Sequence, residues 1–333
     1  MRFRLAAAAI LLGTALYLAL WTLPVPAPLA DPGFLFAAAG DHAGGDEANA
    51  SLDALAASGA DYYLALGDLG YGGSGSEEAW CAQVTAQLGP AFPFELLAGN
   101  HDDDLALDDA WIGAYADCLP DRLDVTGIYA AQYYFDHPRA SPLVRTVLIS
   151  PDLTTFGVAY TYAPGSPERA WLVAALDGAR AAGIPWVVVG MHKNCITAGE
   201  KACQIGASLF DLLLEKRVDL ILQAHDHNVQ RSKQLACPAI AVDGYRPSCV
   251  VDDGADGRYA KGAGSIVVIS GSFGQCCVGT SSTDPEAGYF ATRNHRSSGF
   301  WTYAVTRARI DAAFVATGTT NGELFADAFS IVA

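Results

Sequence analysis

The segment Phe94-Glu95-Leu96-Leu97-Ala98-Gly99-Asn100-His101-Asp102 is an apolar run of strand length, halted by glycine and followed by residues that hold cations and protons. A short apolar run ending at a turn signal is the mark of a strand covered on both faces. The design recurs four times. Phe34–Ala39 stops at Gly40-Asp41, Tyr62–Leu66 at Gly67-Asp68, Trp186–Val189 at Gly190-Met191-His192, and Leu220–Gln223 at Ala224-His225-Asp226-His227. Helical stretches over Glu47–Ala57, Pro167–Ala182 and Leu209–Lys216 fall between these runs, the second placing Trp171, Leu172, Ala175 and Leu176 at helical spacing. Val144–Ile149 and Ile266–Ser270 continue the strand series, and the tail from Phe300 alternates in strand fashion with a hairpin signal at Asn321-Gly322. Strands separated by helices predict α/β layers, with the β-rich tail forming a second sheet, in one domain over 31–333. Ligands of open α/β sheets lie beyond the carboxyl ends of strands. Five such ends would gather Asp41, Asp68, Asn100, His192, His225 and His227 in one crevice. These oxygen and imidazole donors suit hard or borderline metals, and their number suits two ions sharing one carboxylate.

Composition narrows the partners. The 333 residues are 51% hydrophobic and 17% charged, too apolar for a disordered chain. Twenty basic residues against 36 acidic ones give a net charge of -16, which leaves little from which to build a counterion-displacing face, so nucleic acid is not expected as a structural partner. Residues 1–30 read as an address: basic Met1-Arg2-Phe3-Arg4, the apolar run Leu5–Leu23, then a Pro-rich stretch with small residues near Ala30. This is the layout of a secretory signal peptide; because the run is 19 residues long, an uncleaved N-terminal membrane anchor is the competing reading. Either one exports the rest of the protein (secreted, periplasmic or cell-surface) and confines membrane contact to that segment. Oligomeric state has no signal in the sequence. In an oxidising compartment the eight cysteines, none in a C-x-x-C pair, favour disulfides over a zinc site. The candidates are Cys195–Cys203, Cys237–Cys249 and Cys81–Cys118, with the pairing of adjacent Cys276 and Cys277 left open.

Five ordered blocks carry a resemblance. Asp41-His42-Ala43, Gly67-Asp68-Leu69-Gly70-Tyr71, Gly99-Asn100-His101-Asp102, Val189-Gly190-Met191-His192 and Ala224-His225-Asp226-His227 resemble the calcineurin-like metallophosphoesterases, and more closely their purple acid phosphatase branch. The ligand residues Asp41, Asp68, Asn100, His192 and His225 are separated by 27, 32, 92 and 33 residues. The stretches 225–230 and 298–305 look like the small tartrate-resistant type. The resemblance implies the metallo-dependent phosphatase fold, a four-layer α/β–β/α sandwich of two mixed sheets flanked by helices. It implies one metal on Asp41, Asp68, Tyr71 and His227 and another on Asp68, Asn100, His192 and His225, with Asp68 as the bridge. Fe(III) is implied at the tyrosinate site and Fe(II), Zn(II) or Mn(II) at the second. Many relatives carry a metal-binding His at the position of Ala43, and Tyr71 fills that vacancy.

The implied activity is hydrolysis of small phosphate monoesters, with a metal-bridging hydroxide as nucleophile. His101 would bind phosphate or protonate the leaving oxygen, and Asp102 would orient it. A further His of related phosphatases, nine or ten residues after the His192 position, is missing here; Lys193, Asn194 and Lys201 occupy that stretch and are the candidate substrate contacts. The same metal pair would serve a phosphodiesterase or nucleotidase. A metal-retaining binding protein with little turnover is the reading outside enzymes, and the intact His101 argues against it. His42 is expected to be structural, and His137 and His295 to lie on the surface.

Overall fold

The computed structural model describes residues 33–72, 76–106 and 110–333; the address read at 1–30 lies outside the described residues. The first third runs through β1 (Phe34–Ala39), α1 (Asp46–Ser58), β2 (Tyr62–Ala65), α2 (Glu77–Leu88), β3 (Phe94–Leu96) and α3 (Ile112–Cys118). Five short strands follow, β4 (Thr126–Ile128), β5 (Gln132–His137), β6 (Val144–Ile149), β7 (Leu153–Thr155) and β8 (Val158–Tyr160). Next come α4 (Pro167–Ala181), β9 (Trp186–Gly190), α5 (Ala207–Glu215), β10 (Leu220–Gln223), β11 (Val229–Ser232), β12 (Gln234–Leu235) and β13 (Val250–Asp252). The chain ends through β14 (Arg258–Ala260), β15 (Ile266–Ser270), β16 (Phe290–Asn294), β17 (Ser297–Val305), β18 (Arg309–Thr319) and β19 (Ala328–Val332).

Two mixed sheets result. One has seven strands in the order β14-β19-β18-β17-β1-β2-β3, the other eight in the order β16-β11-β15-β10-β9-β6-β5-β4. In the first, β1, β2 and β3 run parallel; in the second, β6, β9, β10 and β15 do. The period-two alternation of side chains explains the layering. Along β1, Phe36 and Ala38 face the core between the sheets while Ala37 and Ala39 face α1 and α2. Along β9, Trp186 and Val188 enter the same inter-sheet core, and Val187 and Val189 pack with Leu172 and Leu176 of α4 and Phe210 and Leu213 of α5. Both strands are covered on two sides, as their unbroken apolar sequences require. The expected four-layer sandwich is therefore the observed one.

The tail departs from the expectation. Strands β17–β19 do not form a sheet of their own but extend the first, β17 pairing antiparallel with β1 (Phe36 opposite Tyr303); the second sheet comes from the middle of the chain. The tight turn of the tail is Thr306-Arg307-Ala308, between β17 and β18. Asn321-Gly322 lies instead in the 320–327 connection, because β18 pairs with β19 only from Ala313 opposite Ala328 and its far end pairs with β17 alone. His137 also departs: it is half-buried at the end of β5, its ring against Phe34 and Tyr62. Among the described residues no helix is long and apolar enough to cross a membrane.

Candidate metal centre

The parallel strands of both sheets deliver their carboxyl ends to one place. Asp41 and Asp68 follow β1 and β2, Asn100 follows β3, and His192, His225 and His227 follow β9 and β10 of the other sheet. Backbone hydrogen bonds lock these ends together. The Asp41 amide donates to the Gly67 carbonyl at 3.1 Å, the Gly40 amide to Ser270 at 2.8 Å, and the Ala224 amide to His192 at 3.0 Å. Asp41, Asp68 and His225 adopt left-handed backbone, with φ of 59°, 51° and 67°. Such angles are uncommon outside glycine and cluster where structure serves a site. Gly99 is required by close approach, since a Cβ there would run into the Asp68 carboxylate.

Two ligand triads emerge, Asp41–Asp68–His227 and Asp68–His192–His225, each with donor atoms within 4.8 Å of one another. Asp68 belongs to both. The Tyr71 hydroxyl donates to Asp41 Oδ1 at 3.0 Å and to Asp68 Oδ2 at 3.2 Å, and lies 3.2 Å from His227 Nε2. Asn100 Oδ1 lies 3.2 Å from His192 Nε2, on the other side of Asp68. His192 Nδ1 is 2.8 Å from the Leu66 carbonyl, which makes it the donor there and leaves Nε2 facing Asp68 at 3.2 Å. Of the sequence-derived ligands, all seven therefore face this one crevice.

The electrostatics fit a cation pair. Burial pushes the Asp68 carboxyl up, but the His192 charge and hydrogen bond and the His101 amide overcome it and hold the group below the carboxylate range. Burial lowers His192, yet Asp68 and Asp41 carry it up to about 9. His225 is driven down to about 2 by burial, by His192 and by Lys201. A proton on His192 thus offsets buried carboxylate charge that a metal would otherwise offset. Burial followed by Asp41 and Asp68 raises the Tyr71 phenol, and a cation at that corner inverts the sign. The clearest mark of fit is His225 Nε2, a buried nitrogen with no hydrogen-bond partner among the described residues. Leaving it unpaired costs about 1–3 kcal/mol, which a coordinate bond would remove.

The remaining candidates divide. His101 sits half-buried at the rim, its backbone amide donating to Asp68 Oδ1 at 2.9 Å and its ring centroid 4.5 Å from that of Tyr71. Asp102 is fully buried, and its oxygens take the backbone amides of Leu69, at 2.8 Å, and Gly99, so it braces the two loops that carry Asp68 and Asn100. Lys193 is tied to Asp152, its Nζ 2.7 Å from both the carbonyl and Oδ2. Asn194 is buried and donates to the Ala224 carbonyl at 2.8 Å, a link between β9 and β10 rather than a substrate contact. Of the two lysines, Lys201 is without an ion pair among the described residues, and its charge is felt at both His225 and His227. His42 is structural as expected, enclosed by Tyr63, Trp80 and Phe273 with Nε2 2.9 Å from the Tyr63 hydroxyl.

Sequence reasoning overlooked Asp226, buried between the two histidines of its block. Its only signal was its place in His225-Asp226-His227, where side chains alternate in direction. All four disulfides are present, Cys276–Cys277 included.

Comparison with solved structures finds this architecture elsewhere. Purple acid phosphatase PPD1 from yellow lupin (Lupinus luteus) seeds superposes with a TM-score of 0.67 at 14% identity over 92% of this chain, which spans 55% of the lupin protein. GAP50, the anchor in the inner membrane complex of Plasmodium, matches with a TM-score of 0.56 at 15% identity, over 90% of each chain. PhoD matches with a TM-score of 0.54 at 14% identity, over 92% of this chain and 71% of that one. At these identities the likeness is one of fold. No curated protein matches the sequence. The calcineurin-like phosphoesterase profile, however, matches residues 34–229, more than half of the chain and all of it from β1 to His227, and by that match the chain belongs to the calcineurin-like phosphoesterase family.

Proposed function

We propose that this chain is an exported dimetal phosphohydrolase of the purple acid phosphatase type that cleaves small phosphate monoesters. The observation that carries the reading is the pair of triads sharing Asp68, with the orphaned His225 Nε2 in one and the Tyr71 hydroxyl against the other. Asp41, Asp68, Tyr71 and His227 would hold one ion, and Asp68, Asn100, His192 and His225 the other. A phenolate is a hard donor and selects Fe(III) for the first site, while the mixed nitrogen and oxygen set of the second suits Fe(II), Zn(II) or Mn(II). When bound, such a pair supplies Lewis acidity and an activated water near neutral pH. The residues of the chain do the rest. His192, fixed through Nδ1 by the Leu66 carbonyl, presents Nε2 in a single orientation. Asp102 keeps the Asp68 and Asn100 loops at their separation. His101, on the rim beside Tyr71, delivers a proton to the leaving oxygen. Export accords with the four disulfides and with an N-terminal signal or anchor.

Hydrolysis of an aryl phosphomonoester and its matching diester by iron- and zinc-loaded protein tests the reading, with Asp68→Asn as control. Monoester turnover should fall in that variant by more than the roughly 10- to 100-fold that loss of an outer partner costs, together with loss of bound metal. A diester preference would move the assignment to phosphodiesterase. Negligible turnover of both substrates with two metals bound would leave a binding protein.

A further inference from the structure

Three of the disulfides join residues 37, 8 and 12 positions apart, and so restrict the unfolded chain, which is how a disulfide stabilises a fold. Cys276–Cys277 joins neighbours, closes no loop and has no such effect. Its surroundings point to another role. The connection that follows β15 runs along the ligand loops and is bonded to two of them. The Gly274 and Gln275 amides both donate to the Asp41 carbonyl, at 3.1 and 2.8 Å, and the Val278 amide donates to the His227 carbonyl at 2.8 Å. The disulfide therefore sits between backbone anchors on two members of one ligand triad. The approach is close, since a Cβ on Gly274 would run into the His42 carbonyl. Access differs as well. Each of the other three pairs has a buried member, Cys81, Cys195 or Cys249, whereas Cys276 and Cys277 are both half-buried. Cys276 lines a cleft of about 290 Å³ together with Asp46, Glu47 and Arg296, all three exposed.

We propose that Cys276–Cys277 is a thiol–disulfide exchange site, at which a dithiol reductant releases the backbone hold on Asp41 and His227. Closed, the two side chains and the peptide between them form one small ring, which confines the backbone between Gln275 and Val278. Opened, both residues recover ordinary freedom, and the hydrogen bonds on either side must be made against it. The exchange runs in two displacements. A thiolate of the reductant attacks the Cys276 sulfur, the one at the cleft; the bond to Cys277 breaks, and Cys277 leaves as a thiolate that takes up a proton. The second thiol of the reductant then attacks the reductant's own sulfur in the mixed disulfide and frees Cys276 as a thiol. Two electrons and two protons pass to the protein, and the reductant ends as a disulfide. The exchange is independent of the phosphohydrolase reading; its effect on a bound metal rests on that reading.

The test treats the full chain with limiting dithiothreitol, traps free thiols with iodoacetamide and maps them by peptide mass. The first two thiols should fall on Cys276 and Cys277. Hydrogen exchange of the reduced, metal-free chain should then be faster at the Gln275 and Val278 amides and unchanged in β9 and β10, and reoxidation should restore it. Metal retention is read by calorimetric titration with zinc, which takes no electron from the reductant. Free thiols hold zinc themselves, so wild type is compared with Cys276→Ser/Cys277→Ser, which should bind zinc roughly 10- to 100-fold more weakly, the cost of losing an outer support of a ligand. Thiols that appear first at another pair would overturn the proposal. So would unchanged amide protection after reduction, which needs no variant, or zinc affinity equal to that of wild type in a folded double variant. If the wild type binds no zinc, the phosphohydrolase reading fails, and thiol trapping with amide exchange still decides whether the exchange site exists.

Discussion

Asp41 and His42 are adjacent in sequence and face opposite chemistry. The Asp41 carboxylate accepts the His225 amide at 2.8 Å and points into the crevice, while the His42 ring turns back into an aromatic pocket of Tyr63, Trp80 and Phe273. Burial, opposed only in part by Asp41 and Asp68, lowers His42 to about 4 from 6.5. A histidine held neutral in this way binds fewer protons folded than unfolded. Its contribution is complete above pH 6.5 and is lost progressively as the pH falls toward 4, by about 3 kcal/mol across that window. His42→Gln, which keeps an amide within reach of the Tyr63 hydroxyl, should flatten the fall in stability over that range. Denaturant midpoints of both proteins from pH 7 to pH 4 check this, and parallel curves would show that His42 titrates elsewhere.

At the scale of elements, the helices of the first sheet are tied by a covalent link that the helices of the second lack. Cys81 in α2 joins Cys118 at the end of α3 across 37 residues. Helix α2 caps weakly, since Ser76 makes no side-chain cap bond, whereas α4 opens with Ser166 accepting the Arg169 amide at 3.1 Å and Pro167 in its first turn. The disulfide therefore bears more of the load in α2 and α3 than side-chain capping does. Cys81→Ser/Cys118→Ser should cost roughly 2–4 kcal/mol by freeing a loop of that length in the unfolded chain. Metal content should be unchanged, because neither cysteine belongs to the candidate ligand groups. Chemical unfolding with parallel metal analysis separates the two effects.

For the whole molecule, the candidate metal centre lies beyond the carboxyl ends of strands from both stacked sheets. Asp41, Asp68 and Asn100 come from one sheet and His192, His225 and His227 from the other, with Asp68 facing His192 across the junction at 3.2 Å. A cation pair there binds the native arrangement and not the unfolded chain, so it adds stability by mass action. Chelation should lower the melting temperature of the wild type by several degrees, as a loss of about 1–2 kcal/mol would. Asp68→Asn should start lower and respond little to chelator, and scanning calorimetry of the two proteins compares them. An identical chelator response in both would place the metal elsewhere.

The sequence by itself determined the strand ends. Unbroken apolar runs such as Phe34–Ala39 and Trp186–Val189 demand cover on both faces, and a glycine followed by Asp, Asn or His fixes what stands at their carboxyl ends. That was enough for the α/β layers and for the six candidate ligand positions at strand ends, because both depend on local pattern and on a rule of sheet chemistry; Tyr71 came only from the family resemblance. The partners across sheets were beyond it. Strand β17 joined the sheet of β1 rather than starting another, since Trp301 and Tyr303 had inter-sheet core to fill beside Phe36. Asp102 became a brace between loops, and Asn194 a link between strands, because each found backbone groups that only the folded chain brings near. Asp226 likewise found its partners 29 and 26 residues away, in the Thr197 hydroxyl and the Glu200 amide. Local sequence sets which groups are offered at a strand end; burial decides which become ligands and which must satisfy a neighbour, since a polar group taken out of water binds whatever partner the tertiary structure supplies.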